Sequence, residues 1–409
     1  MAFERPCLVF ADTNGNIYDE PELYMLSRSN SELSLPRPDE VTPLPDGWPI
    51  VLLPSRQPLG LDPETGEAVI VEELAAAALL PANYIASGLP AYHMTDKHTA
   101  IPEGAYAALG LAHDKLYVCA KKITDDTPHR KPKASSGSLK KSAATLKSTY
   151  LENRLIAALA DALPSSSPFI KNFFLGQGEI LLPFAPTKES SPSPSAILPQ
   201  SLPQIFFTPS ATEISEVLSH HMNTAIRPVV TFVAPPNTLA TPELFTPLIE
   251  AIGQYRQQGG TSPITLQTET LVSTVIPLLK EAGLTSITLT IPAAYPSLYD
   301  ALNEINNWSF AHMASLIKEV QTASLPFTLR YAYIPGISDT EKELDSLINL
   351  IHTYTLTTLW LYSPSCNLER TYGKVQTIEL GPIVGIGNFC KRLKKQPKSI
   401  TLLSATPSS

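Results

Sequence analysis

The sequence predicts an α/β chain: a partial (β/α)6 TIM-like barrel fills the carboxy-terminal half, and a smaller β-rich α+β domain precedes it. Three observations carry this reading. From Gly178 onward, short apolar runs alternate with segments of helical period. Before residue 120, β-like runs are separated by turn dipeptides such as Asn14-Gly15 and Asp46-Gly47. Between the two regions lies a stretch with too few apolar residues to build a core.

In the amino-terminal region the β-like runs are 7–11, 48–54, 68–72 and 115–120, and Gly60 to Glu67 reads as a turn between two strands. Residues 121–148 carry eight lysines and arginines among serine, threonine and proline, which predicts a basic flexible linker. No aromatic side chains are interleaved there for base stacking. A helix is expected over 146–163, with Leu151, Leu155, Ile156 and Leu159 on its apolar face and Pro164 as its stop.

The barrel strands are expected at 179–183, 229–233, 264–268, 286–291, 327–333 and 357–362. Helices are expected at 212–221, 243–257, 272–282, 299–306, 311–322 and 341–353. Ser210 stands three before Glu213 and Ser338 three before Glu341, the spacing of capping boxes. Thr241-Pro242 opens another helix, and Gly283 is placed as a left-handed stop. Alternation of this kind predicts parallel strands joined by right-handed crossovers, with an open doubly wound sheet as the rival geometry. The domains read from this pattern are 1–120, the linker 121–148, the barrel 149–365 and a carboxy-terminal extension 366–409.

Charge and composition narrow the function classes. A net charge of −8 argues against a chain that coats nucleic acid. No apolar run reaches the length of a membrane span, and Met1-Ala-Phe-Glu-Arg-Pro-Cys7 does not read as an export signal, so the expectation is a cytoplasmic protein. The four cysteines, Cys7, Cys119, Cys366 and Cys390, are far apart and form no C-x-x-C pair.

Four stretches carry a resemblance. They are Lys171-Asn-Phe-Phe-Leu-Gly-Gln-Gly-Glu-Ile-Leu-Leu-Pro183, Ser262-Pro-Ile-Thr-Leu-Gln-Thr-Glu-Thr-Leu271, Leu279-Lys-Glu-Ala-Gly-Leu-Thr-Ser-Ile-Thr-Leu289 and Tyr333-Ile-Pro-Gly-Ile-Ser-Asp339. In order and spacing they resemble the first, third, fourth and fifth strand regions of the radical S-adenosylmethionine family. The resemblance covers 171–363 and implies a barrel with a [4Fe–4S] cluster held by three cysteines in C-x-x-x-C-x-x-C spacing after strand one. The cluster's open iron would hold S-adenosylmethionine.

The chain departs from the family there. In the stretch Ala185 to Ala196 the three ligand positions align with Lys188, Pro192 and Ser195, none of which supplies a thiolate. Strand two runs into Phe232-Val-Ala-Pro-Pro-Asn-Thr-Leu-Ala-Thr-Pro242, with no glycine and no acid where the family's backbone approaches the cofactor. At strand three Glu269 stands where the family carries asparagine. The resemblance therefore implies a degenerate member for which neither S-adenosylmethionine nor a cluster is expected, unless distant cysteines assemble one.

The leading expectation is a scaffold that binds a small molecule or a protein. A second is a repurposed barrel enzyme with an atypical site at the strand ends, for which Glu269, Asp339 and Cys366 are the site residues. A third is an interaction module built on the amino-terminal domain and the linker. Other patterns add little. His220-His221 cannot both face one metal from a helix. Gly381-Pro-Ile-Val-Gly-Ile-Gly387 has part of a nucleotide-loop pattern without its third glycine or a preceding strand. Lys391-Arg392 and Lys394-Lys395 suit a helix carboxy terminus.

Overall fold

The computed structural model describes residues 4–30, 32–45, 47–80, 83–96, 98–99, 101, 104–124, 136–163, 168–186, 202–234, 242–303, 305, 307–364, 368–396 and 400–404. Seven parallel strands form a half-barrel sheet in sequence order: Gln177–Pro183, Ile226–Val233, Ile264–Thr268, Ser286–Ile291, Phe327–Ala332, Thr358–Tyr362 and Thr401–Ser404. The first six match the expected strands. The seventh corrects the six-strand reading, because Thr401–Ser404 pairs in parallel with Thr358–Tyr362 through Leu359↔Leu402 and Leu361↔Ser404. Its four residues are too short to show any periodicity of their own. The inner strand faces are apolar, with Ile180, Val230, Phe232, Ile264, Leu266, Ile287, Leu329 and Leu359 all buried.

The helices between the strands are Ala211–Thr224, Thr246–Gln257, Val275–Ala282, Pro296–Leu302, Phe310–Thr322 and Glu341–Thr353, with Leu368–Val375 and Gly385–Lys394 ahead of the seventh strand. Ser210 forms its expected capping box with Glu213. Gly283 ends its helix at φ +100°, a left-handed conformation that only glycine adopts cheaply, and its amide bonds the Lys280 carbonyl. Ser338 does not cap the helix after strand five, contrary to expectation. Its hydroxyl donates to the Ala332 carbonyl and accepts from the Ile334 amide, and Thr340 is the N-cap residue.

Two further corrections concern the residues ahead of the sheet. The single helix expected over 146–163 is two, Ser136–Thr149 and Arg154–Asp161, because Asn153 accepts a hydrogen bond from the Ile156 amide at 2.8 Å and starts a new helix. Leu151, placed on the apolar face by the sequence, is instead exposed in the break. The basic segment expected to be flexible holds the first of these helices. Ala143 and Leu146 are buried, with Leu139 and Tyr150 half-buried on the same face, while Lys140, Lys141 and Lys147 stay in solvent.

Among the described residues the region from Cys7 to Lys122 is made of strands alone, so the expected α+β character reduces to β. Cys7–Ala11 is its centre, pairing antiparallel with Ile17–Met25, Leu74–Leu79 and Tyr106–Ala112. The chain divides into two compact units. The first is Met1–Asp126 with Pro292–Leu302 and Tyr331–Thr406; the second is Thr127–Ile291 with Asn303–Arg330 and Pro407–Ser409. No helix among the described residues is long and apolar enough to cross a membrane.

Candidate functional site

In the second unit the third strand, Ile264–Thr268, ends in a turn whose residues Thr268, Glu269, Thr270 and Leu271 are all buried. The Thr268 hydroxyl donates to the Thr270 carbonyl and accepts from the Thr270 amide, which folds the turn over tightly. Glu269 sits in this turn, 3% exposed. His221 is fully buried on its helix, with Nε2 2.9 Å from the Gly178 carbonyl, and burial holds its imidazole below the usual range. His220 lies against Phe173 and Tyr150. The adjacent pair therefore serves two different contacts.

In the first unit Tyr331, in the fifth strand, and Tyr333, one residue past its end, both stand against Phe389. Opposite them stand Asp339, two residues before the helix Glu341–Thr353, and Glu343 in its first turn. The Tyr333 hydroxyl donates to Asp339 at 2.9 Å and the Tyr331 hydroxyl to Glu343 at 2.7 Å. Asp339 also accepts the Gly336 amide at 2.7 Å. Glu343 also accepts the Ala294 and Tyr295 amides, at 2.5 and 2.7 Å, just before the helix Pro296–Leu302. Phe389 closes the group, with its ring centre 5.3 Å from that of Tyr333.

Burial pushes the Asp339 carboxyl up to about 6 against the hydrogen bonds from Tyr333 and Gly336. Burial likewise pushes Glu343 up to about 7 against those from Tyr331, Ala294 and Tyr295. Each carboxyl can therefore change protonation near neutral pH while remaining a hydrogen-bond hub.

The ends of the fifth and sixth strands in this unit are covered by the amino-terminal strands. Gly336 adopts φ +74°, and a Cβ there would lie 2.6 Å from the Ser29 carbonyl carbon and 2.7 Å from the Asn30 nitrogen. Arg28 lies over the rings of Tyr92 and Tyr372, 5.6 and 5.3 Å from their centres. The Tyr372 hydroxyl donates to the Pro335 carbonyl. Ser363, just past strand six, accepts the Ala86 amide at 3.1 Å. Tyr92 donates to Glu369 at 2.7 Å, and the buried Arg56 lies 3.8 Å from the same carboxylate. Two of the glycines of 381–387, at the start of the helix Gly385–Lys394, make room for the chain's own side chains: Arg37 and Glu40 stand at Gly385, and Asp39 stands at Gly387. Of the basic patch that follows, Arg392 pairs with Glu341 and Asp345.

Glu269 belongs to the second unit and Asp339 to the first. Cys366, Lys188, Pro192 and Ser195, together with most of the segment after strand two, lie outside the described residues. Sequence reading missed Glu343, Tyr331 and Tyr333. The available signal was a carboxylate on an apolar stripe, since Glu343 shares its helix face with Leu344, Leu347, Leu350 and Ile351.

The donor chemistry of the described cysteines suits a thiolate-held cluster poorly. Burial raises the Cys7 and Cys119 thiols above their ordinary value and pushes Cys390 up to about 11. Among the described residues no three histidine, cysteine, aspartate or glutamate side chains gather as a metal-holding group.

No family model matches this sequence, and no curated protein matches it. Among the solved structures that it resembles are radical S-adenosylmethionine enzymes. SuiB of Streptococcus suis aligns over 64% of this chain and 54% of its own length, at 8% identity and a TM-score of 0.39. A radical SAM methyltransferase from Sphaerobacter thermophilus aligns over 48% and 62%, at 13% identity and a TM-score of 0.35. Coproporphyrinogen III oxidase (HemN) of Escherichia coli aligns over 53% and 50%, at 8% identity and a TM-score of 0.35. The chain spans about half the length of the first solved structures it matches.

Proposed function

We propose that this chain is a degenerate radical S-adenosylmethionine-like protein, retained as a scaffold for a small molecule or a protein partner rather than as a radical catalyst. The observation that carries this reading is the absence of cysteine from the whole stretch between Cys119 and Cys366. A cluster motif needs three thiolates within a few residues, and lysine, proline and serine cannot replace them. Two features of the first unit support it. The three described cysteines have raised thiols, and the ends of strands five and six are packed against the chain's own Ser29, Asn30 and Ala86.

The test is iron and sulfide content after anaerobic reconstitution, with S-adenosylmethionine calorimetry on the same sample. The expected protein is colourless, free of iron and without heat of binding. About four irons per chain, the content of a cubane cluster, would mean that distant cysteines supply ligands and would overturn the reading.

A second reading, a barrel enzyme with an atypical strand-end site, is favoured by one feature: Asp339 is buried after strand five and burial raises its carboxyl to about 6, the direction that suits a general acid or base. Cys366 and Glu269 are the other residues it would use. Once a substrate is in hand, unchanged turnover in Asp339→Asn and Glu269→Gln would remove it.

A further inference from the structure

The first unit holds an open cleft of about 820 Å³ lined by residues of its amino-terminal region. Ligand sites of drug-sized molecules fall in this range, lined by apolar walls with a few placed polar groups. Here Pro21, Tyr24, Pro36 and Leu111 supply the walls. Three basic side chains also line it, and two are already engaged. Arg37 bonds Glu40 through Nε and Nη2, at 3.1 and 2.7 Å. His113 lies 2.8 Å from the Glu4 carboxylate. Arg5 is different: its guanidinium lies over the Tyr24 ring, 5.8 Å from the centre, and among the described residues it has no carboxylate partner.

The turn at the rim is a two-residue hairpin loop, His113-Asp114, joining Tyr106–Ala112 to Lys115–Val118 with Ala112 opposite Lys115. Both residues have positive φ, 48° and 56°, where such loops ordinarily carry asparagine and glycine. Asp114 also lines the cleft, and Glu4 is already engaged by His113. The cleft therefore carries apolar side chains beside polar ones, and the Arg5 guanidinium over Tyr24 has no carboxylate partner among the described residues.

We infer that this cleft binds an amphipathic anion, an apolar body carrying a carboxylate, with Arg5 holding the carboxylate and Tyr24 and the prolines holding the body. The site is independent of whether the barrel has lost its cluster, since none of its residues belongs to the half-barrel sheet.

The test uses the full chain and two fluorescent probes of the same shape, 8-anilinonaphthalene-1-sulfonate, whose sulfonate stands for the carboxylate, and uncharged N-phenyl-1-naphthylamine. Arg5 is exposed, so Arg5→Ala folds normally; near-ultraviolet circular dichroism confirms it. The sulfonate is expected to bind the parent chain about tenfold more tightly than the neutral probe, and to lose that advantage in Arg5→Ala. Leu111→Trp, which fills the cleft, is expected to abolish binding of both. Equal affinity for the two probes in the parent chain, or sulfonate binding unchanged by both substitutions, overturns the inference.

Discussion

Replacing Glu343 by leucine is expected to cost about 3–6 kcal/mol of folding stability, the sum for three buried donors left without an acceptor. The donors are the Ala294 and Tyr295 amides and the Tyr331 hydroxyl. The leucine side chain has the volume but cannot accept a hydrogen bond, so the loss is one of polarity rather than packing. Urea denaturation measures it. A change below about 1 kcal/mol would show that the carboxyl does not pin the loop ahead of the helix Pro296–Leu302.

The same residue sets a pH dependence opposite in direction to ordinary acid unfolding. Its carboxyl titrates near 4.5 in an unfolded chain and about 7 in the folded one. Between those values the folded state holds a proton that the unfolded state has released. Stability therefore falls as pH rises through this window, by about 3 kcal/mol from this group alone. Asp339, ordinarily at 3.8 and raised to about 6, pulls the same way over a slightly lower range. Urea midpoints taken at pH 5 and pH 8 are expected to differ accordingly. Glu343→Gln should flatten most of the difference, and should also weaken the fold at pH 5, because an amide offers hydrogens where Tyr295 needs an acceptor.

The second large effect is expected from Gly336→Val. A branched side chain at φ +74° is strained by about 1–2 kcal/mol before any contact is counted. Its Cβ would also press on the Ser29 and Asn30 backbone, neither of which is the far end of a flexible side chain. The combined loss is about 3–5 kcal/mol, in line with overpacking against a rigid neighbour. Trypsin distinguishes a local release from a general one. Faster cleavage after Arg28, with the rest of the chain still resistant, locates the damage at Ser29–Asn30. An unchanged cleavage rate together with unchanged stability would show that this close approach is not maintained in solution.

Much of the half-barrel was legible because its signals are local. The helix Glu341–Thr353 and the strands Ile264–Thr268 and Ser286–Ile291 lie where periodicity puts them, and Gly283 and Ser210 mark their helix ends as expected. The amino-terminal strands were less legible because partners decide them. Leu74–Leu79, a leucine at each end of four alanines, has the composition of a helix. It is a strand because Ile50–Leu53, Cys7–Ala11 and Tyr106–Ala112 all pair with it, and alanine lets them approach. At the site, Asp339 was visible from its place after strand five. Glu343 was hidden inside a helix that otherwise reads as ordinary, since its partners come from positions 294, 295 and 331.

The contact of Ser29 and Asn30 with Gly336 also sets an order of events during synthesis. The amino-terminal strands leave the ribosome before the surface they cover, which is made about 300 residues later. At ordinary elongation rates that interval is roughly 15–60 s. Through it the apolar and aromatic groups around Arg28 stand without their partner Tyr372. Contacts this distant in sequence also slow the final folding step, because the loop they close must be ordered before it is rewarded. Truncations that remove residues 368–394 are expected to leave the amino-terminal strands without that covering, which faster proteolysis after Arg28 would report.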